Sequence, residues 1–173
     1  ALGAICMPSQ ASAAEVSSPV VNNIKATTTF QATPSNGPVV IITKDGTVGK
    51  VAMIEGLDSE ASLNSGVLRI RTDNKVKTRY LYWILNSEVF WHWFNYTNGG
   101  NSTILHLYQN VFEKFSFPLP NLTTQIEICE FLDNEISTLD AAINKVKKII
   151  ELAESTKKSL IYEYVTGKKR VEV

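Results

Sequence analysis

Two cysteines and two histidines are all that this 173-residue chain holds of the side chains most used in redox and zinc chemistry. Cys6 and Cys129 lie far apart, so no disulfide framework is expected, and the chain reads as intracellular and cytoplasmic. His92 and His106 add no metal-ligand spacing. No run of eighteen apolar residues occurs, so no membrane-spanning helix is expected. The opening ALGAICMPSQASAA lacks the charged start and long apolar stretch of a signal peptide. With no initiator Met, it is expected to be a domain cut. An excess of one charge is also missing, because 17 Lys and Arg balance 17 Asp and Glu. Net charge therefore points to no polyanionic partner. A hydrophobic share of 44% still supplies enough apolar material for a core.

Catalytic signatures are missing too. Asp45-Gly46-Thr47-Val48-Gly49-Lys50 has only two residues between Gly46 and the Gly-Lys pair, and Val51 follows it. A phosphate loop needs four, then Ser or Thr. The segment is better read as a hairpin turn. No Gly-x-Ser-x-Gly elbow is present. His92, between Trp91 and Trp93, is expected to be packed. His106 is expected on the opposite side of a strand from Leu105 and Leu107. Glu151 and Glu154 read as the solvated face of a helix. No active site and no cofactor of its own are expected.

What the chain does have is a heptad. Cys129, Ile136, Ile143, Ile150, Lys157 and Tyr164 are spaced by seven, as are Leu132, Leu139, Val146, Ala153 and Leu160. Interleaved, the two series keep one narrow stripe on one side of a long helix, which a single helix cannot bury. A partner helix is required. Leu132, Ile136, Leu139, Ile143, Val146, Ile150 and Leu160 are the candidate pairing residues. Lys157 is the polar member of the seam, of the kind that fixes register at some cost in stability. From Thr123 to Val165 the helix would reach roughly 60 Å at about 1.5 Å per residue. Thr123 or Thr124 is expected to cap its start and Gly167 to end it.

The region before the helix reads differently. Val39–Thr43 is a β-branched run, Asp45-Gly46 a turn dipeptide, and Thr47–Ile54 a returning strand. Gly66–Thr72 reads as a further strand, and Tyr80–Phe94 as one buried helix. Asn95–Thr103 is a polar, glycine-rich loop, and Ile104–Phe117 returns to short strands. Pro118-Leu119-Pro120 closes the region. The expected class is α+β: a mixed globular domain over 1–120, then a coiled-coil arm over 121–173.

Balanced charge hides a cluster. Arg69, Arg71, Lys75, Lys77 and Arg79 fall within eleven residues, opposed only by Asp73. Such a stretch can face phosphates, or it can be an edge strand carrying protective charges. Lys44, Thr47 and Lys50 on the hairpin tip could touch a nucleic acid as well. In the glycine-rich loop, Asn98, Asn101 and Ser102 are small polar groups able to approach a partner closely, and Asn can pair bidentately with adenine.

These residues occur in an order that resembles a known family. Phe117-Pro118-Leu119-Pro120, Gln125, Ile128, Phe131-Leu132, Ile136, Leu139-Asp140, Ile143, Leu160-Ile161 and Val165-Thr166-Gly167-Lys168 resemble the conserved helical region of specificity subunits of Type I restriction–modification enzymes. The Ile41–Lys50 hairpin is similar to a motif of their target recognition domains. So are the loop before Phe115-Ser116-Phe117 and the opening Leu2-Gly3-Ala4-Ile5-Cys6. The family's frequent Glu-Gln pair after the prolines is Thr124-Gln125 here, and its arginine-rich stretch is Ser155-Thr156-Lys157-Lys158.

The resemblance implies a non-catalytic subunit that reads one half of a bipartite target in double-stranded DNA. It also implies recruitment of a modification subunit, which methylates adenine with S-adenosylmethionine, and a possible restriction subunit. With one recognition domain and one helix, the chain would be a half-length subunit or a fragment, expected to pair as a homodimer. Lys44, Lys50, Arg69, Arg71, Lys75 and Lys77 would meet the DNA backbone, and Thr47, Asn98, Asn101 and Ser102 the base edges. The competing reading is a coiled-coil adaptor that binds protein and not DNA.

Overall fold

The computed structural model describes residues 24–27, 31–32, 37–98 and 105–171. Leu2–Cys6, the expected start of the domain, lies outside the described residues. The elements in chain order are β1 (Ile24–Thr27), β2 (Gln31–Ala32), β3 (Val39–Thr43), β4 (Val51–Ile54), β5 (Ala61–Ser62), β6 (Val67–Thr72), α1 (Thr78–Leu85), α2 (Glu88–Asn98), α3 (Gln109–Phe112) and α4 (Leu122–Val165). The α+β class expected from the sequence is the one observed.

The main sheet is antiparallel, in the order β1-β6-β3-β4, and β2 and β5 form a separate two-stranded ladder. The β-branched run of β3 pairs with β4 on one side, Ile42 opposite Val51, and with β6 on the other, Ile42 opposite Leu68. Alternation then puts Ile24, Ala26, Val40, Ile42, Leu68 and Ile70 on one buried face. The basic strand β6 is interior, paired on both sides, so it is not the edge strand its charges allowed; β1 and β4 are the edges.

Helix α1 packs on β3, β4 and β6 and against α2. The single helix expected over Tyr80–Phe94 is two. Asn86 turns its side-chain amide back to the Tyr82 carbonyl at 2.8 Å, and the Ser87 hydroxyl donates to the Ile84 carbonyl at 2.7 Å. Ser87 Oγ also accepts the Val89 N–H at 3.3 Å, which opens α2. Side chains that bond the local backbone thus interrupt an apolar run that periodicity alone reads as continuous. α2 also extends further than expected, to Asn98. Between Ile104 and Phe117 the described residues hold the short helix α3 and isolated bridge positions at His106 and Phe117, not strands.

The core gathers Phe90, Phe94, Phe112, Phe115 and Phe117, none more than 1% exposed. Phe90 sits at the centre, with ring centroids 5.3 Å from Trp91, 5.8 Å from Phe94 and 5.9 Å from Phe115. Each such edge or offset pair adds about 0.5–1.5 kcal/mol beyond burial alone.

The chain divides into two compact units, Ala1–Cys129 and Glu130–Val173. The first takes in the opening turns of α4, where Gln125 and Cys129 are buried. The N-cap of α4 is Asn121, whose Oδ1 accepts the Thr124 N–H at 2.9 Å; neither Thr123 nor Thr124 serves. At the other end Gly167 adopts φ 73° just past the last helical residue, where a side chain would be strained. Thr166 and Gly167 donate to the Tyr162 and Tyr164 carbonyls. α4 has 44 residues, roughly 66 Å of helix.

Candidate nucleic-acid interface

The β3–β4 connection, residues 44–50, is tied down at both ends. Thr43 donates its hydroxyl to the Thr47 carbonyl and accepts the Lys50 N–H at 3.0 Å. The Gly49 N–H bonds the Thr43 carbonyl at 3.0 Å. Gly49 has φ 86°, and a Cβ there would stand 2.6 Å from the Trp91 ring. Only glycine permits both the turn and the close approach to α2. The loop is therefore held in place, and Thr47 and Lys50 are exposed on it.

Lys44 is placed differently. Its ammonium pairs with the Asp45 carboxylate, which also meets His106 Nδ1 at 2.8 Å. The Lys44 and His106 hydrogen bonds, in that order, hold the Asp45 carboxyl below the usual carboxylate range. The Lys44 N–H reaches the Gly66 carbonyl at 2.8 Å, and its carbonyl accepts the Leu107 N–H at 2.9 Å. Three segments distant in sequence meet at this one residue. His106 is half-buried rather than on a plain alternating strand, with Leu107 buried and Leu105 exposed. His92, expected to be packed, is exposed.

The basic cluster separates by burial. Arg71, Lys75 and Lys77 are exposed, whereas Arg69 is 4% exposed and so is not the open surface cation expected. Arg69 lies opposite Thr27 and Ile41, and Arg71 opposite Lys25. Arg79 stacks over the rings of Tyr82 and Trp83, at 5.3 and 5.6 Å. Asn98 is the last residue of α2, and its side chain, like Asn101 and Ser102, lies outside the described residues.

Gln125 is a residue the sequence reading gave no site role. It is fully buried. Its Oε1 accepts the Lys77 N–H at 2.8 Å, and its Nε2 donates to the carbonyls of Lys75 at 2.9 Å and Pro120 at 2.8 Å. Both amide hydrogens and the oxygen are used, so the loop bearing Lys75 and Lys77 is fixed to the start of α4. Nearby the Tyr80 hydroxyl donates to the Pro118 carbonyl at 2.8 Å. Burial first, and Cys129 second, push the Tyr80 phenol up to about 12.

In the second unit the heptad seam is open. Leu139, Ile143, Val146, Ile150 and Leu160 are 46–55% exposed, while Leu132 and Ile136 are half-buried. Ile149, Leu152, Ala153, Lys157 and Leu160 line a shallow apolar groove along the helix, which places Lys157 within the stripe. No described helix is long and apolar enough to cross a membrane.

The Type I restriction modification DNA specificity domain family matches residues 13–154, and the chain belongs to that family. One similar solved chain comes from a study of complex assembly and conformational transition of the type I R-M system. It superposes with a TM-score of 0.55 at 17% identity, over 77% of this chain and 31% of its own length. At that identity the likeness concerns the fold, and the present chain spans about a third of that relative. No curated protein matches the chain.

Proposed function

We propose that this domain reads one half of a bipartite DNA target for a Type I restriction–modification system and pairs through α4 with a second such helix. The observation that carries the reading is the joining, in one member of this family, of a compact head to a 44-residue helix whose heptad residues stand half in water. The head supplies recognition. Lys50, Arg71, Lys75 and Lys77 contact the backbone and position the domain, and Thr47, Asn98, Asn101 and Ser102 contact base edges. Lys44, engaged by Asp45, holds the hairpin base and adds its charge at close range. The domain itself carries out no catalysis. A cytoplasmic modification subunit, with S-adenosylmethionine, would methylate the adenine, and a restriction subunit can join the assembly.

Pairing makes α4 a ruler between two reading heads. Inserting one heptad, about 10 Å of helix, should change the preferred spacer between half-sites; an unchanged spacer would remove the ruler role. The reading as a whole is tested by duplex binding as salt is raised. Counterion release makes DNA affinity fall steeply with salt, whereas a coiled-coil adaptor would bind no duplex at any salt. Methylation mapping in the source genome would then identify the bases read.

A further inference from the structure

Gln125 is polar, yet it has no exposed surface. An apolar side chain could fill the same volume without taking an amide out of water. What an apolar side chain cannot do is accept one hydrogen bond while donating two. Gln125 uses that whole capacity on main-chain groups. They are the Lys77 N–H at 2.8 Å, the Lys75 carbonyl at 2.9 Å and the Pro120 carbonyl at 2.8 Å. Two of the three belong to a loop 48 and 50 residues away in sequence.

That loop is tied at further points. Asp73 Oδ1 accepts the Lys75 N–H at 2.9 Å, and the Val76 N–H reaches the Asp73 carbonyl at 3.4 Å. Val76 is 3% exposed, so one buried residue stands between two exposed lysines. Lys77 is extended, with φ −69° and ψ 131°, and leads into α1, where the Tyr80 hydroxyl bonds the Pro118 carbonyl. The main chain is thus held from both sides, while among the described residues neither lysine ammonium is engaged by a carboxylate. Lysine is a point charge on a flexible stem, and a fixed main chain beneath it removes part of the ordering cost of binding.

We infer that Gln125 is a positioning residue for duplex binding: it presets the Lys75–Lys77 segment so that both ammoniums meet phosphates together. The inference rests on the DNA-reading function and goes beyond it, because a buried residue that touches no DNA takes a part in recognition. It also makes the two lysine contacts one unit and ties their place to the first turn of α4. Loss of the Gln125 amide should therefore remove phosphate contacts while every charge of the protein stays in place. Because phosphates carry no sequence information, that loss should fall on all duplexes alike.

The test is a mutant cycle read as the salt dependence of affinity for one fixed duplex. Its corners are the native chain, Gln125→Met, Lys75→Gln with Lys77→Gln, and all three changes together. The lysine pair should reduce the slope of log affinity against log salt by about two. Gln125→Met should reduce it by about one or more, although it alters no charge. Added to the lysine pair, it should cause no further loss of affinity. A glutamine with a structural part alone would lower thermal stability, leave the slope as it is and cost the same affinity in both backgrounds. That result, or a slope unmoved by the lysine pair, would overturn the inference, although the DNA reading survives. Absence of salt-dependent duplex binding by the native chain would overturn both. Hydrogen exchange on the native chain gives a check that needs no variant to fold: the Lys77 N–H should be equally protected free and DNA-bound. Loss of that protection on binding would mean that the segment leaves Gln125 to reach the duplex, contrary to the inference.

Discussion

The five core phenylalanines of the head are sealed from water, while five seam residues of the arm are 46–55% exposed. Both sets are large and apolar. The difference lies in where the burying partner comes from. In the head the ring neighbours of Phe90 are supplied by α2, α3 and the segment after it, all within one compact unit. In the arm one helix carries the stripe, and from Leu139 to Leu160 its large apolar members stand half in water. The head therefore has an intramolecular source of stability, and the proposed pairing would supply that of the arm. Stability of the arm should rise with protein concentration and that of the head should not.

The sharpest way to break this contrast is to damage the head core. Phe90→Ala should cost about 3–5 kcal/mol, read by chemical denaturation, and the loss should be the same at all protein concentrations. A cost that disappears on concentration would mean that the head, too, is stabilised by association.

Gln125→Leu comes next. It removes three hydrogen bonds and leaves the Lys77 N–H without its partner, at about 1–3 kcal/mol for a buried group so exposed. Hydrogen exchange at Lys77 should accelerate, while exchange along Glu130–Val165 stays as before. Unchanged protection at Lys77 would show that the loop is held by something other than Gln125.

Asn121→Ala should cost about 1 kcal/mol by removing the N-cap of α4. Circular dichroism and thermal melts would detect it, and Thr124→Ala, which removes no cap, should serve as the neutral control.

A last effect is confined to alkaline pH and vanishes at neutral pH. Tyr80 has its folded-state value raised above the ordinary 10 to about 12. Its contribution is therefore complete below pH 10 and is lost as pH rises through about 12, because the unfolded chain releases the proton first. Tyr80→Phe should flatten that alkaline decline, followed by denaturation across the same range. A decline equally steep in the variant would assign it to other groups.

The two regions were also unequally legible in the sequence. The extent of the long helix was legible from Thr123 to Val165, since a heptad is a strictly local pattern and Gly167 a local stop. The β3–β4 hairpin was legible for the same reason, through its β-branched run and Asp45-Gly46. The division of Tyr80–Phe94 was not legible, because the Asn86 and Ser87 side chains act on carbonyls four and three residues back, and hydrophobic periodicity carries no trace of that. Asn121 immediately before the helix was an available cap signal; the following threonines competed with it. Gln125 and Arg69 could not be read at all. A polar residue on an amphipathic helix or a pleated strand looks solvated until its non-local neighbours are known. Lys77 lies 48 residues from Gln125, and the strand opposite Arg71 begins at Ile24.

The most direct measurement is sedimentation equilibrium of the chain across a range of concentrations, alone and with Ile143→Asp and Ile150→Asp together. The account predicts a reversible dimer for the native chain, and a monomer with an intact head for the double variant. A native chain that stays monomeric at every concentration, or a double variant that still dimerises, would contradict pairing through α4.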